Sequence, residues 1–190
     1  MSRYYLVFLC VLLLAPVGDT LLIRRLRRGS RPGRVIERWS LPLLWLGLGA
    51  GMAAALWLKR FAAFRIGAKP PALAAVAVAF MLSGMALRWA AMRRLGNRFS
   101  PHVEVGGGQA LVTDGVFRLI RHPAYSGILL IFFGVGLTYA SWLSLAAVAI
   151  AAAAGVANRV RIEEKALREE FGPAYEEYAS RSRRFIPFVL

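Results

Sequence analysis

The sequence predicts an all-α, polytopic integral membrane protein of about five transmembrane helices, and three observations carry that reading. Hydrophobic residues make up 58% of the chain and charged residues only 18%, against about 45–50% and about 25% in a soluble domain. The apolar residues gather into five long runs, with the cations clustered between them. In hydrocarbon, backbone N–H and C=O groups must bond within their own segment, so such runs become helices.

The five runs are Tyr4 to Ile23, Leu41 to Leu58, Ala72 to Leu87, Tyr125 to Ala140 and Trp142 to Val156. Each approaches the roughly 20 residues a helix needs to cross about 30 Å of hydrocarbon, and the last three gain a turn from flanking residues. The first begins like a leader peptide, but it continues past Asp19 to Ile23 and meets Arg24, Arg25, Arg27 and Arg28, which resembles a stop-transfer boundary. The last two are separated by almost nothing and predict a tight antiparallel helical hairpin. Its small residues Ser126, Gly127, Gly134, Gly136, Ser141 and Ser144 suit close helix approach. The fifth helix is expected to leave the membrane and run as a polar helix to Phe171, stopping at Gly172-Pro173. No Pro/Ser-rich or low-complexity stretch divides the chain, so one membrane domain is expected, with three helices in residues 1–92.

A formal net charge of +15 invites a nucleic-acid reading, but the cations follow the loops rather than one polar face, and no nucleic-acid-binding motif surrounds them. The expected partner is the lipid bilayer. Of 25 Lys and Arg, 20 lie in segments 24–38, 88–122 and 159–184. The positive-inside rule then places the N-terminus outside and the C-terminus in the cytoplasm. Cys10 is the single cysteine, which excludes an intramolecular disulfide and a multi-cysteine metal site; no metal is expected.

Chemistry is expected in two places. The segment from Arg88 to Pro123 is too polar to cross lipid and too long for a plain connection. Its Gly106-Gly107-Gly108 reads as a turn, since a phosphate-cradling loop needs a preceding strand, a following helix and further glycines at set spacing. His122-Pro123 stands where the chain re-enters an apolar run, with Pro123 at a first helical position. Two readings of His122 and Tyr125 stay open: contacts to a polar cofactor, or interfacial anchors. The second place is the helix carrying Asn158, Arg159, Glu163 and Glu164. Arg159 and Glu163, four apart, share a face and can pair or jointly hold a zwitterion. A solvated charged face is the alternative, but ionisable groups within a turn or two of lipid are expensive and usually functional.

Four blocks, in order, resemble the isoprenylcysteine carboxyl methyltransferase family: Leu111-Val-Thr-Asp-Gly-Val-Phe; Arg121-His-Pro-Ala-Tyr-Ser-Gly; Arg159-x-x-x-Glu163-Glu164 followed by Leu167, Phe171-Gly, Tyr175 and Tyr178; and Arg184-Phe-Ile-Pro-Phe188. They cover about residues 93 to 188. The resemblance implies a membrane methyltransferase that binds S-adenosylmethionine without a Rossmann domain, with residues 93–190 as catalytic core and a C-terminal cytosolic helical segment capping the cofactor pocket. By that resemblance His102, Gln109, Ala110, Leu111, Val112, Phe117, His122, Pro123, Ala124, Tyr125 and Glu163 line the cofactor site. Arg159 faces a lipophilic methyl acceptor, with Glu163 orienting it and offsetting the cofactor's positive charge.

Rival readings keep different parts of this picture. A phospholipid N-methyltransferase, or an enzyme acting on a small lipophilic molecule, changes only the acceptor. A sterol-type NADPH reductase expects Asn-Tyr-Gly-Asp where this chain has Pro-Ala-Tyr-Ser-Gly after His122, and acidic residues that are absent here. A membrane scaffold or transporter leaves the ordered polar blocks unexplained, and no inverted repeat supports transport.

Overall fold

A computed structural model describes residues 3–27, 34–105 and 110–185. The chain forms α1 (Arg3–Leu26), β1 (Arg34–Glu37), α2 (Ser40–Leu58), α3 (Pro70–Leu95), β2 (Val103–Val105), α4 (Pro123–Leu137), α5 (Trp142–Phe171) and α6 (Pro173–Arg181), with short 3-10 turns between. All five apolar runs are helical. Among the described residues α2, α3 and α5 are long and apolar enough to cross a membrane, while α4 is apolar but only 15 residues long. Leu46, Trp57, Leu82, Trp142 and Ile150 are exposed on these helices, as suits side chains solvated by lipid.

The helices pack in the lateral order α1, α3, α4, α5, α2. Thus α2, early in the chain, lies against α5, late in it, and Ser144 of α5 donates a buried hydrogen bond to the Ala55 carbonyl of α2 at 2.8 Å. The α4–α5 hairpin forms as expected, turning through residues 138–141. The crossing of α3 and α4 near the start of α4 is a backbone contact: a Cβ on Gly84 would stand 2.5 Å from the Gly127 carbonyl oxygen, and a Cβ on Gly127 would stand 2.5 Å from that of Gly84. Leu44, Met81, Phe132, Val135 and Val148 are buried in one core cluster among α2, α3, α4 and α5.

Three features depart from expectation. α3 does not end near Leu87 but continues to Leu95, because Ala90, Ala91 and Met92 favour helix and Arg93 and Arg94 complement the negative C-terminal end of its dipole. The all-helical reading omits a two-stranded antiparallel ribbon in which Arg34 faces Val105 and Val35 faces Glu104. The third is a C-terminal strap. Arg183 donates to the Leu119 carbonyl, Arg121 and His122 donate to the carbonyls of Arg183 and Arg184, and Ser126 donates through its hydroxyl to that of Phe185. The expected stop at Gly172 is present: its φ of +49° is cheap for glycine, and Pro173 opens α6.

Candidate active site

The N-terminal ends of α2 and α4 meet the C-terminal ends of α3 and α5 at one end of the bundle, where the cation-rich segments also gather. Between them lies a cavity of about 190 Å³. Its wall includes His102, Ala110, Leu111, Val112, Phe117, His122, Pro123, Ala124, Tyr125, Arg159 and Glu163. Each site residue expected from the sequence is there except Gln109, which with Gly106–Gly108 lies outside the described residues. Leu41, Leu44 and Trp45 of α2 and Ile128 of α4 make one side apolar.

Arg159 is 3% exposed and held on three sides. Its Nε donates to the Tyr125 hydroxyl at 3.1 Å, Nη1 to Ser40 Oγ at 3.0 Å and Nη2 to the Pro101 carbonyl at 2.7 Å. The guanidinium also lies over the Tyr125 ring at 5.8 Å, near the usual limit for a cation–π contact. Two of its five N–H donors are left over. No direct ion pair joins Glu163 to it among the described residues; the carboxylate stands instead by the Tyr125 hydroxyl that accepts from Arg159. Sharing a helix face is necessary for such a pair but not sufficient, because a long guanidinium follows the strongest acceptors in reach, and here those are on α2 and the loop before β2.

Glu164, one residue on, points the other way and is 2% exposed. It takes a two-pronged contact from Arg184 at 3.0 and 2.9 Å and lies 3.4 Å from His122 Nε2, 3.5 Å from Arg121 Nε and 3.5 Å from Arg168. This carboxylate therefore ties the C-terminal strap to His122. Tyr178 closes the same side, donating to the Phe117 carbonyl at 2.8 Å. Burial pushes its phenol up to about 12 against a smaller opposing pull from the Ser182 hydrogen bond, so it remains a donor.

Other contributors carried no sequence signal of their own. Arg88 lines the cavity and donates to Asp19 at 2.6 Å; the same carboxylate accepts from the Trp89 indole at 2.8 Å. The ribbon is fastened by Arg27, which reaches Glu104 at 3.1 Å and Ser100 at 3.2 Å. Only a knowledge that α1 packs on α3 would have paired Asp19 with Arg88.

These features define a helical integral membrane protein with a part-polar, part-apolar cavity at one end of its bundle. The family model for phospholipid methyltransferases matches residues 72–174, more than half the chain, and the chain belongs to that family. It is similar to protein-S-isoprenylcysteine O-methyltransferase B of Arabidopsis thaliana, 33% identical over 111 residues that cover 57% of this chain and 56% of that protein. It is also similar to the protein-S-isoprenylcysteine O-methyltransferase of Schizosaccharomyces pombe, 28% identical over 143 residues, covering 74% and 61%. Among solved structures it resembles the eukaryotic intramembrane Ras methyltransferase, an isoprenylcysteine carboxyl methyltransferase, with a TM-score of 0.61 and 26% identity, covering 78% of this chain and 53% of that one. The resemblance read from the four sequence blocks therefore holds, and the chain spans between half and two thirds of the length of these proteins.

Proposed function

We propose that this chain transfers a methyl group from S-adenosylmethionine to a lipophilic acceptor, the carboxylate of an isoprenylcysteine-like molecule. The observation that carries the reading is one cavity combining an apolar side on α2 and α4 with a buried, preorganised guanidinium. The residues fit the cofactor. Nδ1 of His102 is buried without a hydrogen-bond partner, Glu163 supplies a carboxylate for a cationic ligand, and the 110–112 stretch, Phe117 and the 122–125 turn supply apolar and aromatic walls. When bound, S-adenosylmethionine supplies an electrophilic methyl on a sulfonium sulfur.

An acceptor that is already an anion needs no general base, so the chain's work is positioning and excluding water. Arg159, fixed by Tyr125, Ser40 and Pro101, offers its two remaining N–H groups to the acceptor carboxylate; a planar guanidinium suits that shape. Glu163 favours the cationic cofactor on the opposite side. Residues 93–190 act as the catalytic core, and α6 with the strap caps the pocket. The helices α1 to α5 cross the bilayer, the short α4 held between its longer neighbours α3 and α5, with the cavity end in the cytoplasm, so the acceptor enters between α2 and α4 from lipid while the cofactor enters from water.

Calorimetric titration with S-adenosylhomocysteine in detergent, with NADPH as control, tests the reading. Micromolar binding, weakened in His122→Ala and Glu163→Ala, is expected; binding of NADPH instead would overturn it. The family description favours a second acceptor, a phospholipid amine. Parallel assays with an S-prenylcysteine and with phosphatidylethanolamine separate the two, and transfer to the S-prenylcysteine alone is the expected result.

A further inference from the structure

Three buried side-chain polar atoms have no hydrogen-bond partner among the described residues: Nδ1 of His102, Nε of Arg121 and the hydroxyl of Tyr175. All three residues stand on the wall of the same cavity. A buried donor left unmet costs about 1–3 kcal/mol, so packing alone does not favour placing several around one space.

Arg121 and Tyr175 belong together. The Nη1 of Arg121 is occupied by the carbonyls of Ala179 and Ser182. Its Nε lies 3.5 Å from Glu164 Oε1 without making a hydrogen bond to it. Tyr175, fully buried on α6, packs edge-on to Tyr178 and under the Arg168 guanidinium. Burial, reinforced by the nearby Glu164 carboxylate, holds its phenol well above the ordinary value, so it is a neutral donor. Charge beside the pair leans positive as well: Arg121, Arg168 and Arg184 all lie within 3.5 Å of the Glu164 carboxylate, and among the described residues only Arg168 of the three has a second acidic partner, Glu176 at 2.9 Å. Two unmet donors beside surplus positive charge suit a carboxylate, which draws stronger hydrogen bonds than a neutral acceptor.

We infer that Arg121 and Tyr175 form a carboxylate-binding corner of the cavity that holds the aminoacyl carboxylate of the cofactor. The inference rests on the methyltransferase reading. Of the groups in S-adenosylmethionine the α-carboxylate is the one anion. Arg159, held by Tyr125, Ser40 and Pro101 with two N–H donors left over, remains available to the acceptor.

The decisive variant is Tyr175→Phe, which removes only the unpartnered hydroxyl. Titrate the 190-residue chain in detergent with S-adenosylhomocysteine and with 5′-methylthioadenosine, which keeps the nucleoside but lacks the carboxylate. The expected result is binding of S-adenosylhomocysteine weakened about tenfold or more, the size of one charge-assisted hydrogen bond. Binding of methylthioadenosine should be unchanged and the ligand-free melting temperature equal or higher, because an unmet polar group has gone. Arg121→Lys, which keeps the charge but displaces the donor, should show the same ligand contrast. Unchanged S-adenosylhomocysteine affinity in Tyr175→Phe, as expected if the corner held the acceptor instead, would overturn the assignment. An equal loss for both ligands, or a lower ligand-free melting temperature, would overturn it too. Each of these leaves wild-type binding and the methyltransferase reading intact, whereas a wild type that binds neither ligand removes that reading itself.

Discussion

Where α3 crosses α4, Gly84 and Gly127 bring two backbones into contact and no side chain intervenes; the cavity beside this crossing is lined instead by long polar side chains, Arg88, Tyr125 and the buried Arg159. The first region is held by close approach, since lipid offers helices no hydrophobic drive to associate and van der Waals contact must do the work. The second is held by guanidinium groups, each needing several acceptors from distant parts of the chain. The crossing should therefore fail when atoms are added, and the cavity when charge or a hydroxyl is taken away.

The largest effect is expected at Arg159. Arg159→Ala removes the group proposed to hold the acceptor carboxylate and strands three acceptors, so turnover should fall by about 10³-fold, comparable to losing a preorganised transition-state donor. S-adenosylhomocysteine affinity should stay within a few-fold of wild type. An enzyme with normal turnover would remove Arg159 from the mechanism. Next is Gly84→Val, whose branched side chain must displace the Gly127 backbone; a loss of about 3 kcal/mol, the upper end for overpacking, should appear as a lower melting temperature in detergent. The fraction that remains folded should bind ligand normally, which separates the two regions. A smaller loss, about 2 kcal/mol, is expected for Glu164→Gln. Breaking a buried ion pair costs more than this, but Arg184 is half exposed and keeps access to water. Because Glu164 ties down the strap, limited proteolysis near Arg183 should accelerate in this variant before global unfolding does.

These two regions were not equally legible in the sequence. The helices were, because apolar run length fixes them, and the stop at Gly172-Pro173 was, because glycine and proline have few other uses there. The ordered blocks from Leu111 to Tyr178 also pointed to residues that the fold brings to one cavity wall. What escaped depends on which helix lies beside which. Asp19 becomes a partner of Arg88 and Trp89 only when α1 packs on α3. The ribbon joins segments of four and three residues, too short to show an alternating pattern. The Arg159–Glu163 pairing failed for the same reason: local spacing suggested a partner, while the actual acceptors came from α2 and from Pro101.

The smallest predicted effect tests whether α2, which lies outside the family match at residues 72–174, belongs to the working site. Ser40 Oγ accepts from Arg159, and the backbone N–H of Ser40 donates to the Glu37 carboxylate at 2.8 Å. Burial pushes the Glu37 carboxyl upward, but hydrogen bonds, first from the Ser40 hydroxyl and then from the backbone of Ser40 and Trp39, hold it below the usual carboxylate range. The Ser40 side chain thus accepts from Arg159 while its backbone N–H is held by Glu37, and this residue is the link through which the ribbon fixes one edge of the guanidinium. Ser40→Ala breaks that link and leaves Tyr125 and Pro101 in place. A roughly tenfold fall in kcat is expected, the equivalent of one hydrogen bond of about 1.4 kcal/mol, with S-adenosylhomocysteine affinity unchanged. Ser40→Thr, which restores the hydroxyl, should recover most of it. If Ser40→Ala turns over normally, Tyr125 and Pro101 suffice to aim Arg159 and α2 contributes only an apolar wall; if Thr fails to rescue, the loss is one of packing.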